Sequence, residues 1–126
     1  MDRWHEPAMA RRRRDFWKYA QERWPLLHNL MAVHFYQDFN VDYGSLDGAM
    51  KAATTGGSIE HRKAVIQEWR DWNASEGAKD DIRPFLHDGF GVAVLLRKPI
   101  DGRNFMNRVY DGLISGARAE TDKHRE

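Results

Sequence analysis

Cysteine is absent from this chain of 126 residues, which excludes disulfide bridges, thiolate metal ligands and a thiol nucleophile. Long apolar runs are also missing. The longest, Val92–Leu96, falls far below the ~20 residues that a membrane-spanning helix needs. The N-terminal sequence MDRWHEPAMARRRRDF contains no apolar signal segment. These absences favour a cytoplasmic protein without a membrane partner.

Catalytic motifs are lacking as well. The chain has no glycine-rich phosphate loop of the Walker type and no H-E-x-x-H pair. Its six histidines are scattered, and only His34 with Asp38 has the spacing of two ligands on one helix, which does not complete a metal site. We therefore expect no catalytic residue, no metal and no cofactor, and the chain is not predicted to be an enzyme.

The residues that are present suit a single helical domain over residues 1–126. Hydrophobic residues make up 41% of the chain and charged residues 31%, which is typical of a globular protein with one core. Apolar stripes at helical spacing, serine caps and Pro or Gly boundaries predict a mostly α-helical fold of five helices. Their predicted bounds are Pro7–Glu22, Pro25–Phe39, Leu46–Ala53 after a Ser45 cap, a helix from the Ser58 cap to before Gly77, and Gly102–Arg118.

The core and the connecting segments follow from the same stripes. The residues predicted to be buried are Leu30, Met31, Phe35, Val65, Ile66, Trp69, Phe105, Val109 and Leu113. A short helical turn is predicted over Ile82–His87 after a cap at Asp80. The segment 90–99 alternates apolar residues and is either a short buried strand or a buried extended loop. The polar residues 119–126 are predicted to form a flexible tail.

Three polar residues interrupt the apolar second helix. On a helical wheel, His34, Gln37 and Asp38 project into the same arc as Leu26 and Leu30. Buried polar groups need hydrogen-bond partners. The three side chains therefore either form a structural polar cluster that bonds to nearby backbone, or lie at an open edge where a partner binds.

Charge is distributed unevenly, although the net charge is only +1. No Lys or Arg occurs between Arg23 and Lys51, whereas Asp38, Asp42 and Asp47 all fall within that gap. This segment predicts a negative surface, which attracts basic partners. Arg11–Arg14 suggest the alternative of a nucleic-acid-binding or regulatory helical domain. The near-zero net charge makes nucleic acid an improbable partner.

Two stretches resemble a known family. The first is the aromatic-rich stretch Trp24–Phe39, which ends in a Phe-x-Gln-Asp-aromatic pattern at residues 35–39. The second is the turn Asn40–Asp47 that follows it. An Ile-Glu-His-Arg helix start after Ser58 and a last helix with Phe105-Met106 keep the same order. Over residues 24–118 the chain is similar to the immunity proteins of contact-dependent growth inhibition systems. The Arg-rich N-terminal helix within residues 1–23 and the segment 90–99 depart from that pattern.

The resemblance implies a cytosolic protein without enzymatic activity that needs no cofactor. Such a protein binds the C-terminal toxin domain of a secreted effector, often a nuclease, and blocks its active or substrate-binding surface. Combined with the charge pattern, this makes Asp38, Asp42, Tyr43 and Asp47 the candidate toxin-binding residues. Tyrosine is a residue type enriched at the energetic centres of interfaces.

Overall fold

The computed structural model describes the backbone of residues 8–123 and the side chains of residues 11–119. Within these residues the chain forms six α-helices and one π-helical turn and no β-strand, which confirms the prediction of a mostly α-helical domain. In chain order the helices are α1 (Ala8–Arg23), α2 (Pro25–His34), α3 (Phe39–Tyr43), α4 (Leu46–Thr55), α5 (Ile59–Ala74), the π-helical turn (Phe85–Gly89) and α6 (Pro99–Lys123). Pro7, the predicted start of the first helix, lies outside the described residues.

One hydrophobic core joins these elements. Helix α6 packs against α4 and α5, α2 packs on the same two helices, and α1 covers α2 and the π-helical turn. The nine residues predicted to be buried are all in this core, so that prediction is confirmed: Leu30, Met31, Phe35, Val65, Ile66, Trp69, Phe105, Val109 and Leu113.

The break between α1 and α2 is held from α5. Helix α2 begins with Pro25, and its N-cap residue Trp24 provides no side-chain hydrogen bond. The carboxylate of Glu68 takes that role from another helix by accepting the backbone N–H of Leu27 at 2.6 Å. Glu76 accepts the indole N–H of Trp24 at the same junction. A carboxylate of α5 and one from the turn that follows α5 thus satisfy donors that the local sequence leaves without partners.

Helix α2 ends at His34, so the prediction that it continues to Phe39 is wrong. An α-helix would use the carbonyl of Phe35 to accept the N–H of Phe39. Instead, Ala93 donates its N–H to Phe35 O at 2.8 Å. The Phe35 ring is fully buried, with its centroid 4.9 Å from that of Phe105. A distant segment therefore fixes Phe35 and ends the helix, and Phe39 begins the separate helix α3.

The serine caps were predicted correctly. Ser45 Oγ accepts the N–H of Gly48 at 3.0 Å at the start of α4, and Ser58 Oγ accepts the N–H of His61 at 3.1 Å at the start of α5. Gly56 and Gly57 separate the two helices, with Gly57 in the left-handed region at φ +80°. The expected stops and starts of these helices are confirmed, although α4 extends two residues beyond Ala53.

The segment 90–98 is a buried extended loop, so the alternative of a short strand is wrong. Val92, Val94 and Leu96 are buried, whereas Leu95 is 73% exposed, which is the alternation of a strand. The segment nevertheless pairs with helical elements. Val92 donates to Leu86 O at 2.9 Å, in addition to the Ala93–Phe35 bond. The alternation arises because one face of an extended chain lies on the core.

The remaining boundaries are shifted. The turn predicted over Ile82–His87 is the π-helical turn Phe85–Gly89, whose N-cap residue is Pro84 and which has no side-chain cap, so the predicted cap at Asp80 is wrong. The neighbouring Asp81 accepts the N–H of Arg83 at 3.1 Å. Helix α6 begins at Pro99 and continues through Lys123, past the predicted end at Arg118. It therefore covers part of the predicted tail 119–126, of which residues 124–126 lie outside the described residues.

Candidate interaction surface

The short helix α3 and its N-cap residue, Asp38, present two carboxylates and one apolar side chain on the same side. Both Val41 and Asp42 donate their backbone N–H groups to the carbonyl of Asp38, at 3.0 and 3.1 Å. Residues three and four apart lie on one face of a helix. All three side chains are exposed, and Val41 is 82% exposed, the highest value among the exposed large hydrophobic residues. We name Asp38, Val41 and Asp42 the acidic face.

The opposite side of α3 anchors the helix to the domain. Phe39 is buried, and Tyr43, four residues later, is half-buried against the core. The Tyr43 ring stacks on His34 of α2, with a centroid distance of 5.8 Å and an interplanar angle of 29°. Gly44 ends the helix in the left-handed conformation, at φ 78°. The acidic face is therefore held by inward contacts made by its own helix.

Asp47 lies apart from the acidic face, in the first turn of α4. Its side chain is 83% exposed and forms an ion pair with Arg108 of α6. A carboxylate in the first turn of a helix is favoured by the helix dipole. The positive charge of Arg108 offsets the charge of Asp47, so Asp47 adds less to the negative potential of this region than Asp38 and Asp42 do.

The three polar residues His34, Gln37 and Asp38 do not form one buried cluster. His34 is half-buried, and its Nδ1 donates to the carbonyl of Leu30 at 2.9 Å, which is the backbone bond expected of a structural residue. Gln37 and Asp38 are exposed because they follow the end of α2. The structural interpretation therefore describes His34. Gln37 and Asp38 lie at an exposed edge, and the binding of a partner there stays a prediction.

The Arg11–Arg14 side chains are all exposed along α1. Arg11 and Arg14 make interactions within the protein. Arg12 and Arg13 line a surface groove of about 260 Å³ together with Phe16 and Asp88. The carboxylate of Asp88 offsets positive charge in this groove, which weakens it as a phosphate site. The alternative of a nucleic-acid-binding domain stays a prediction.

One buried and one half-buried titratable group serve packing. His28 is 3% exposed, and its ring centroid lies 4.2 Å from that of Trp17 and 6.4 Å from that of Phe90. Burial lowers the pKa of His28 below its usual value. Burial raises the pKa of Glu68, and the backbone N–H groups of α2 oppose that rise. His28 lies on α2, and Glu68 contacts the first turn of that helix.

Val41 is the surface residue that the sequence reasoning missed. A continuous helix from Pro25 to Phe39 leaves Val41 in an undefined turn, where an isolated valine carries no signal. Once α3 begins at Phe39, Val41 is two residues, or about 200°, from a buried position. Its exposure then follows from the helix geometry.

Within the described part of the chain, no three His, Asp or Glu residues are grouped so that they could hold a metal ion. No helix among the same residues is long and apolar enough to cross a bilayer. The expectations that the protein has no cofactor and no catalytic activity stay predictions. In comparisons with known proteins, no family model, no curated protein and no solved structure matched this chain.

Proposed function

We propose that this protein is an immunity protein that binds the toxin domain of a contact-dependent growth inhibition system in the cytoplasm and blocks its active or substrate-binding surface. The main support for the proposal is the acidic face. There Val41 is 82% exposed and lies between the exposed carboxylates of Asp38 and Asp42, in a segment without Lys or Arg. A soluble protein that binds a basic partner needs such a combination of apolar contact and negative charge.

The expected partner chemistry follows from nuclease function. A nuclease that acts on DNA or RNA presents Lys and Arg to phosphate groups. A protein that blocks this surface gains from carboxylates placed around an apolar contact, since charge steers the encounter and desolvated apolar groups slow dissociation. The acidic face offers both within one turn of helix. Protection of the producing cell from its siblings follows from blocking the toxin.

The candidate residues have different roles in this proposal. Asp38 and Asp42 attract the toxin, and Val41 provides the central apolar contact. Tyr43 positions the acidic face through its stacking on His34 and extends the contact with its exposed part. Asp47 contributes less because it is paired with Arg108.

Charge reversal tests the electrostatic part of the proposal. We expect Asp38→Lys with Asp42→Lys to slow association with the cognate toxin domain at least tenfold at low salt, and to lose most of that effect at high salt. The matched control is Asp80→Lys, which reverses an exposed carboxylate outside the acidic face. Stopped-flow or surface kinetics give the rates. Equal slowing by the control variant would contradict a local role.

Truncation tests the apolar part. We expect Val41→Ala to speed dissociation without changing the melting temperature, because Val41 makes little contact within the domain. Leu95→Ala is the matched control, since Leu95 is 73% exposed and lies on another segment. If both the charge-reversal and the Val41 variants bind and protect as the unaltered protein does, the toxin docks elsewhere. The Arg-rich helix α1 is then the next surface to test.

A further inference from the structure

A cavity of about 200 Å³ lies between α2, α4, α5 and α6, beside the Gly56-Gly57 loop. It is several times larger than the ~30 Å³ that one water molecule occupies in the liquid. It is smaller than the roughly 300–1,000 Å³ of pockets that hold drug-sized ligands or cofactors. The cavity therefore suits a group of a few heavy atoms.

The titratable side chains that line this cavity are all bases. His34 comes from α2, and His61 and Arg62 come from α5. Among the described lining residues there is no Asp or Glu to balance them. The Arg62 guanidinium is charged at all physiological pH values, and a concave site that holds a positive charge and no carboxylate favours an anion.

Arg62 gives the cavity a buried charge. Its side chain is only 5% exposed, and it also makes interactions elsewhere within the protein. A guanidinium has five N–H donors in a fork that matches the oxygens of a carboxylate or phosphate. Arg62 can therefore keep its internal interactions and still direct a donor at a ligand.

The two histidines are held in place. His34 Nδ1 lies 2.9 Å from the Leu30 carbonyl, which only accepts, so Nδ1 carries the proton and the ring is fixed on α2. The His61 ring packs on Gly57, where an added Cβ would lie 3.2 Å from the His61 Cδ2 atom. The two histidines therefore reach the cavity from α2 and from α5 beside the glycine loop.

We propose that this cavity binds a small oxyanion, held by the Arg62 guanidinium and the His61 ring with His34 as a third polar wall. Phosphate and carboxylate share the required chemistry, namely oxygen acceptors of compact size and negative charge. The cavity adjoins the acidic face through His34, whose ring stacks on Tyr43. Binding of an oxyanion involves no toxin, however, so the titration below tests this inference independently of the proposed function.

Nuclear magnetic resonance titration of the full chain tests the proposal. Inorganic phosphate and acetate are added separately at constant ionic strength, with chloride as the reference anion. We expect one of the two oxyanions to cause saturable shifts of the Gly57 and His61 amide signals with a single dissociation constant. The titration that gives saturable shifts, with phosphate or with acetate, identifies the oxyanion. The absence of saturable shifts in both arms would overturn the proposal.

Variants locate the site. We expect Arg62→Lys and His61→Gln each to weaken binding at least tenfold, and Ala52→Leu to abolish it by filling the cavity from α4. Because Arg62 is buried, the exposed His61 keeps the test valid if the Arg62 variant does not fold. Lys79→Gln removes an exposed positive charge elsewhere and should leave binding unchanged. Unchanged binding in Ala52→Leu, or equal weakening in Lys79→Gln, would place the anion outside the cavity.

Discussion

Removing the Trp69 side chain should destabilise the protein strongly, because it joins α5 to α6 in the core. The ring is 5% exposed, and its centroid lies 4.3 Å from that of Tyr110 on α6. Its indole N–H donates to the carbonyl of Met106 at 3.1 Å. Truncating a buried Trp to Ala costs about 3–5 kcal/mol, through lost apolar burial and the cavity that remains.

A second substitution separates the ring from the hydrogen bond. Trp69→Phe keeps an aromatic ring but loses the bond to Met106, so we expect about 1–2 kcal/mol from the bond and imperfect packing. For a domain of this size, Trp69→Ala should lower the melting temperature by roughly 10–20 °C. Urea unfolding measured by circular dichroism gives the free energies. Leu95→Ala, at a 73% exposed position, should change stability by less than about 0.5 kcal/mol.

An unchanged free energy of unfolding in Trp69→Ala would refute the reasoning, because it would mean that the stripe of α5 does not face α6. Equal losses in Trp69→Ala and Trp69→Phe would refute a narrower point. They would show that the hydrogen bond to Met106, rather than the buried ring area, dominates the contribution of Trp69.

Three further predictions follow from the described contacts. Since the pKa of buried His28 is lowered, the contribution of His28 to stability is complete above about pH 6.5 and is lost as the pH falls through its folded-state pKa. His28→Phe should therefore flatten the pH dependence of the free energy of unfolding, measured with urea between pH 8 and 5. A pH dependence unchanged from that of the unaltered protein would contradict this prediction. Glu68→Ala should cost about 1–3 kcal/mol because it leaves the Leu27 N–H unsatisfied, against less than about 0.5 kcal/mol for exposed Lys63→Ala. The protein should bind DNA or RNA only weakly in fluorescence anisotropy, and salt should abolish that binding; tight binding at physiological salt that requires Arg11–Arg14 would favour the nucleic-acid alternative.

Local chemistry explains which helix boundaries could be predicted from the sequence. Ser45 and Ser58 act on N–H groups three residues away, so the signal and its effect lie in the same few residues. The stripe of α5 is likewise a short-range pattern, and Trp69 and Trp72 face the core as their spacing predicts.

The end of α2 depends on a contact that no short-range pattern contains. Ala93 lies 58 positions after Phe35 in the sequence, yet its N–H donates to the Phe35 carbonyl. Nothing near Phe35 marks the break, since no Gly or Pro follows before Gly44. Because the helix was predicted to continue to Phe39, Asp38 was placed within α2 and not at the start of α3. The arrangement of the acidic face could therefore not be predicted. The candidate surface was predicted as three carboxylates and a tyrosine, but their relative positions required the tertiary structure.

Binding of the unaltered protein to the toxin domain encoded beside its gene tests the central claim most directly. The two proteins are purified, mixed and measured by calorimetry, and cells that express the toxin are scored for survival with and without this chain. The account predicts a stable one-to-one complex that buries about 800 Å² on each partner, as stable interfaces do, and survival that depends on the complex. No binding to that toxin domain and no protection from it would contradict the proposal that this protein confers immunity.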